Sequence, residues 1–124
     1  MTLEYNQAGY GRALNERQLY EMLTDYIYAH YTDVRRQYFF DNGCQIDFFA
    51  LDIYSRSPVL IEIKNWFLTI KDMEQLMKYY VHATEKYGEN RFSLIVYAGG
   101  CEETRQKILT KLGIQLYLTK DLVN

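Results

Sequence analysis

Asp47, Glu62 and Lys64 are the residues whose types and spacing bring chemistry within reach. Glu62 and Lys64 stand two apart in the middle of PVLIEIKNWF, a run that otherwise reads as a buried strand, and Asp47 lies upstream in GCQIDFFAL. Two carboxylates held close together repel each other unless a cation lies between them or one of them takes a proton. Carboxylate oxygens, a backbone carbonyl and waters suit Mg²⁺ or Mn²⁺, which keep several waters and take one or two protein carboxylates. Such an ion acidifies a bound water and clamps a phosphate oxygen. An ammonium beside it holds or helps deprotonate the attacking water and stabilises charge growing on the phosphorus oxygens. The competing reading is an ion pair of Lys64 with Glu62 or Asp47 on a solvated sheet face.

The centre exists only if Asp47 reaches the other two. The run QIDFFALDIY predicts a strand, Ser55-Arg56-Ser57-Pro58 a turn, and Val59 to about Asn65 the returning strand. In a hairpin whose turn centres near Ser55 and Arg56, opposed residue numbers sum to roughly 109 to 111, which sets Asp47 opposite the segment Glu62 to Lys64. Alternation then puts Glu62 and Lys64 on one face and Ile61 and Ile63 on the other, with Asp47 able to share the face of the charges.

The rest of the chain supplies the frame. Leu19, Leu23, Tyr26, Ile27, His30 and Tyr31 recur at helical steps after Asn15, a fair cap, and predict a helix ending near Tyr31. Val34 to Phe40 reads as a strand stopped by the turn Asp41-Asn42-Gly43. From Thr69 to about Tyr87 a stripe of Ile70, Met73, Leu76, Met77, Tyr80 and Val81 predicts a long amphipathic helix. RFSLIVYA then reads as a buried strand, Gly99-Gly100 as a turn, Glu102 to Leu112 as a helix and IQLYLT as a short last strand. An antiparallel meander entering a strand and helix crossover predicts an α/β (α+β) domain with a mixed central sheet flanked by helices.

The 124 residues fit one domain, 1–124, with a short leader over 1–12, and such a chain buries a core without staples. Hydrophobic residues make up 48% and there is one Pro, which excludes a disordered or Pro-rich chain. A net charge of −2 excludes nucleic-acid binding by bulk charge, so a local patch or bound cations must supply it. No apolar run approaches a membrane span and the N-terminus shows no apolar signal core, so a soluble, intracellular protein of the cytoplasm or nucleoid, with no membrane partner, is expected. Cys44 and Cys101 lack metal-type spacing and are expected to be partly buried, inert thiols.

GCQID followed by IEIK, within an α-β-β-β-α-β order, resembles the PD-(D/E)XK nuclease superfamily, with Ile46 standing where the motif has Pro. The resemblance covers about Asn15 to Tyr97 and implies a restriction-endonuclease-like core. It also implies that Asp47 and Glu62 bind the metal, with the Ile63 carbonyl as a further ligand, and that Lys64 supports catalysis. NERQLYEML in the first helix resembles the opening of archaeal Holliday-junction resolvases, which implies Glu16, or alternatively Glu21, as a further metal ligand. Gln75 and Tyr79 fit the Gln-x-x-x-Tyr signature of RecB-like and phage exonuclease-like members, which implies that both support the catalytic site.

Lys71, Gln75, Lys78, Tyr79, His82 and Lys86 fall along one polar face of the long helix, a track able to contact phosphates without reading sequence. A merely solvated face is the competing reading. Arg35, Arg36, Asn65 and Trp66 are weaker candidates for the same surface; burial in the core is the expectation for the Trp66 ring. YAGGCEET lacks the Gly-Lys-Ser/Thr ending of a phosphate loop, and its glutamates would repel phosphate. These features together predict an Mg²⁺-dependent nuclease of DNA, with Mn²⁺ substituting and a homodimer as a reasonable assembly. Two alternatives stand beside it: an inactive nuclease-fold module for nucleic-acid binding or assembly, and an RNA-directed nuclease.

Overall fold

The computed structural model describes residues 15–40 and 43–121. The predicted leader and residues Asp41 and Asn42 of the first turn lie outside the described residues. In chain order the elements are α1 (Glu16–His30), β1 (Thr32–Phe39), β2 (Gln45–Leu51), β3 (Pro58–Phe67), α2 (Ile70–Tyr87), β4 (Ser93–Gly100), α3 (Glu103–Lys111) and β5 (Gln115–Leu118), closed by a 3₁₀ turn at Thr119–Asp121. The strands form one sheet in the order β1-β2-β3-β4-β5, antiparallel from β1 to β3 and parallel from β3 to β5. This is the mixed, helix-flanked α+β architecture that the sequence predicts.

Parallel neighbours need crossovers, and crossovers of one hand advancing in one direction lie on one face. Leu76, Tyr79 and Ala83 of α2 and Leu109 of α3 accordingly pack with Leu60, Leu94, Val96 and Ala98 in one core layer. Leu19, Leu23 and Ile27 of α1 pack with Phe48, Val59, Ile61, Ile63, Ile95 and Tyr97 in the layer opposite. Both long helices start on capping boxes: Asn15 with Gln18, and Thr69 with Asp72.

Four expectations need correction. Gly99 and Gly100 do not turn the chain; they end β4, where a Cβ on Gly99 would lie 2.9 Å from the Trp66 backbone and one on Gly100 2.6 Å from the Phe67 ring. They are small because two strands pass close, not because a left-handed conformation is needed. The buried stripe of α2 is rotated from the predicted one and runs Asp72, Leu76, Tyr79, Ala83, leaving Ile70 and Val81 exposed. Tyr79 therefore leaves the polar track for the core. Trp66 is 42% exposed rather than buried, because its indole N–H is held at the start of α2 by Asp72. Strand β2 stops at Leu51, since Asp52 accepts the N–H groups of Tyr54 and Ser55 and turns the chain there. Cys44 and Cys101 form no disulfide, and Cys101 is buried.

Candidate active site

Strands β2 and β3 pair in the register Phe48↔Ile61, Phe49↔Leu60, Ala50↔Val59 and Leu51↔Pro58. Continued by one step, this sets Asp47 across from Glu62. There the backbone ladder gives way to side chains. The Asp47 N–H donates to Glu62 Oε1 at 2.9 Å, and the Ile63 N–H donates to Asp47 Oδ2 at 2.7 Å. Lys64 Nζ stands 3.1 Å from Glu62 Oε2. Glu62 thus reaches both Asp47 and Lys64, the two residues that the hairpin was expected to gather around it.

The alternation of β2 breaks at Asp47. Phe48 packs under α1, yet Ile46, two residues earlier, packs in the layer of α2. Across the β1–β2 pair, Gln37 lies between the matched positions Arg36↔Phe48 and Tyr38↔Ile46 and takes a positive φ of 52°. The backbone is thus turned at the one position of β2 that carries the carboxylate, as bulges and kinks do beside sites.

Glu62 is 3% exposed. Burial, reinforced by the nearby charge of Asp47 and opposed by Lys64 and the Asp47 N–H, pushes its carboxyl up to about 7. One ammonium beside two carboxylates leaves the pair short of positive charge. The donors present are hard oxygens, the kind that Mg²⁺ or Mn²⁺ takes. The Ile63 N–H points at Asp47, and a strand residue's N–H and C=O leave on the same side, so the Ile63 carbonyl is directed past the last paired residues toward the same place. The residues fit such an ion with two carboxylates, one carbonyl and waters. Among the described residues no three His, Cys, Asp or Glu side chains gather into a fuller metal cluster.

Tyr79 is buried at the floor of the site and its hydroxyl donates to the Gln45 carbonyl. Burial first, then the charges of Glu62 and Asp47, raise its phenol well above the ordinary range, so it stays a neutral donor. Gln75, one turn earlier, shares with Tyr79, Gln45, Lys71 and Lys78 an open hollow of about 530 Å³. His82, half-buried, follows one turn beyond Lys78 on the same helix.

Other candidates fall elsewhere. Glu16 and Glu21 line a separate hollow with Tyr20 and Arg36, and Glu21 pairs with Arg17 at 3.1 Å. The Arg36 guanidinium lies over the rings of Tyr20 and Phe48, at 5.7 and 5.8 Å, on the α1 side of the sheet. Arg35 is matched with Phe49, which packs in the α2 layer, so the two arginines part to opposite faces. Sequence reasoning passed over Asp72. Its carboxylate is buried and accepts the N–H groups of Trp66 and Thr69. Burial works against its charge, but the bonds from Thr69 and Trp66 outweigh that and hold it below the ordinary range. The signal available was Thr69-x-x-Asp72, a capping box at the start of an apolar stripe.

No protein-family model matches the sequence, and no curated protein matches it. Among solved structures the fold is similar to a repair endonuclease from Pyrococcus abyssi, with a TM-score of 0.65 and 20% identity over 88% of this chain and 47% of that one. It is similar also to EndoMS in complex with double-stranded DNA, with a TM-score of 0.64 and 18% identity over 86% of this chain and 46% of that one. The chain thus spans about half the length of these proteins, and what it has in common with them is the endonuclease fold.

Proposed function

We propose that this chain is a metal-dependent nuclease of the PD-(D/E)XK type that hydrolyses phosphodiester bonds of DNA. The observation that carries this reading is the meeting of Asp47, Glu62 and Lys64 where the β2–β3 ladder ends, with Glu62 buried and short of positive charge. Asp47, Glu62 and the Ile63 carbonyl would hold Mg²⁺, or Mn²⁺ in its place, and the ion when bound supplies an acidified water and a Lewis acid for a phosphate oxygen. Lys64 holds the attacking water and offsets charge growing on the phosphorus oxygens. Tyr79 keeps the start of β2 in place through the Gln45 carbonyl, and Gln75 faces the same hollow. Lys71 and Lys78 rim that hollow and serve the phosphates of DNA, with His82 beyond them. Glu16 is not part of this centre. The structural likeness to endonucleases, one of them in complex with double-stranded DNA, supports both the reaction class and the substrate. Two copies side by side would present one centre to each strand of a duplex, and light scattering of the free and DNA-bound protein tests that homodimer.

The experiment is a cleavage panel of duplex, single-stranded, flapped and branched DNA with matched RNA, in Mg²⁺ and in Mn²⁺. The wild type is expected to cut DNA and Glu62→Ala to leave it intact. Intact DNA throughout with wild-type protein would refute the reading. A specific observation favours a non-catalytic module as the second reading: among the described residues no third acidic or imidazole side chain joins Asp47 and Glu62. DNA binding without cleavage, and a melting temperature that Mg²⁺ does not move, would select it.

A further inference from the structure

Lys64 has a second neighbour besides Glu62. Its ammonium lies 5.4 Å from the centroid of the Trp66 ring. That ring is fixed from the far side, since the indole Nε1–H donates to Asp72 Oδ2 at 2.7 Å, and the same oxygen accepts the Thr69 N–H at 2.8 Å. Three separate features aim the indole. The β3–β4 register shifts between Lys64 and Phe67, which turns the strand just after the lysine. Gly99 lets the Trp66 backbone approach β4, where a Cβ would stand 2.9 Å from the Trp66 Cα and N. Asp72, buried in the capping box of α2, takes the N–H. A carboxylate bonded to the N–H of an indole draws positive charge to the hydrogen and leaves the ring face more electron-rich, which strengthens its hold on a cation.

We propose that Asp72 and Trp66 form a positioning unit that holds the Lys64 ammonium over the candidate site, so that Lys64 keeps its place when the Glu62 oxygens are engaged elsewhere. Trp66 and Asp72 act through Lys64 and touch no reacting atom. The inference rests on the nuclease reading for its kinetic consequence, while the placement of Lys64 stands independently of it.

Two readouts separate the two. In the metal-free protein, the ε-methylene protons of Lys64 are expected upfield of those of other lysines because of the Trp66 ring current, an effect measured by NMR with ¹³C-labelled lysine. Asp72→Ala is expected to abolish that shift and to lower kcat on DNA about fivefold with KM unchanged, the scale of one partly exposed cation–ring contact. Thr69→Ala removes the hydroxyl half of the same capping box and serves as the stability control. It is expected to keep both the shift and kcat. Trp66→Phe, which restores a ring without the N–H, is expected to recover part of the kcat lost in Trp66→Leu. An Asp72→Ala protein with kcat unchanged, with the loss entirely in KM, or with the Lys64 shift retained would overturn the inference, as would equal losses in Thr69→Ala. A wild type that cuts no DNA overturns the nuclease reading; a shift abolished in Asp72→Ala and kept in Thr69→Ala would still sustain the placement of Lys64.

Discussion

Replacing Glu62 by Gln should stabilise the metal-free protein, and by an amount that depends on pH in a definite direction. In the fold the Glu62 carboxyl is moved from 4.5 to about 7, first by burial and then by Asp47. The folded chain therefore binds a proton at Glu62 more tightly than the unfolded chain. Between those two values the native state holds more protons, so stability falls as pH rises. The penalty is absent below about pH 4.5, grows through the interval and is complete above about pH 7. At about 1.4 kcal/mol per pKa unit, the full difference is about 3 kcal/mol. For a chain of this size that corresponds to roughly 10 °C in melting temperature. The assay is urea unfolding with EDTA from pH 5 to 8.5 for wild type and Glu62→Gln. The window lies above the range of ordinary carboxylates, and every group other than residue 62 is common to the two proteins, so the difference between the curves isolates Glu62. Wild type is expected to lose most of the 3 kcal/mol relative to Glu62→Gln across the window, and Mg²⁺ to restore it in wild type alone. Parallel curves, or wild-type stability that rises with pH relative to the variant, would refute the argument.

Gly99→Ala forces a Cβ against the Trp66 backbone, where no flexible side chain can yield, and should cost about 1–3 kcal/mol in chemical denaturation. Tyr79→Phe removes the donor to the Gln45 carbonyl and should cost about 1–2 kcal/mol by the same measurement while lowering cleavage, since it loosens the start of β2 next to Asp47. Lys71→Ala and Lys78→Ala should each weaken DNA binding and lower the salt slope of log Kd by about 1 in a titration, whereas Arg36→Ala, whose guanidinium lies on Tyr20 and Phe48 under α1, should leave that slope unchanged.

The elements were legible where periodicity and punctuation agreed. Asn15 caps α1 as its side chain suggests, and the β2–β3 hairpin matches residues whose numbers sum within the interval expected for a turn near Ser55 and Arg56. That arithmetic is what made Asp47, Glu62 and Lys64 readable as one group. Positions where backbone proximity decides the residue were not legible. Gly99-Gly100 has the composition of a turn, and only the approach of β3 explains its smallness within a strand. The face of α2 was misread for a related reason. Asp72 and Tyr79 are buried because they have partners, in Trp66 and Gln45, and a hydropathy stripe cannot register a polar group that is satisfied by a distant residue.

The candidate site lies between two departures from regular strand geometry. On β2 the alternation breaks at Asp47, opposite a residue with positive φ. On β3 the register shifts just after Lys64. A regular ladder would have satisfied the Asp47 and Ile63 N–H groups with backbone carbonyls and left the carboxylates to face solvent. Here each carboxylate accepts one of those N–H groups instead, which fixes both acids without using their remaining lone pairs. The irregularities therefore have opposite consequences for the two acids. Asp47 keeps solvent access at the end of the ladder, whereas Glu62 is drawn under it and left poorly compensated by the one lysine it reaches. A chain selected for stability alone would replace Glu62 with a neutral residue of its size, since breaking even with hydrophobic packing is the best a buried ion pair commonly achieves. That a carboxyl stays buried there, against its burial and the nearby charge of Asp47, is the physical reason to read the site as a place for a cation.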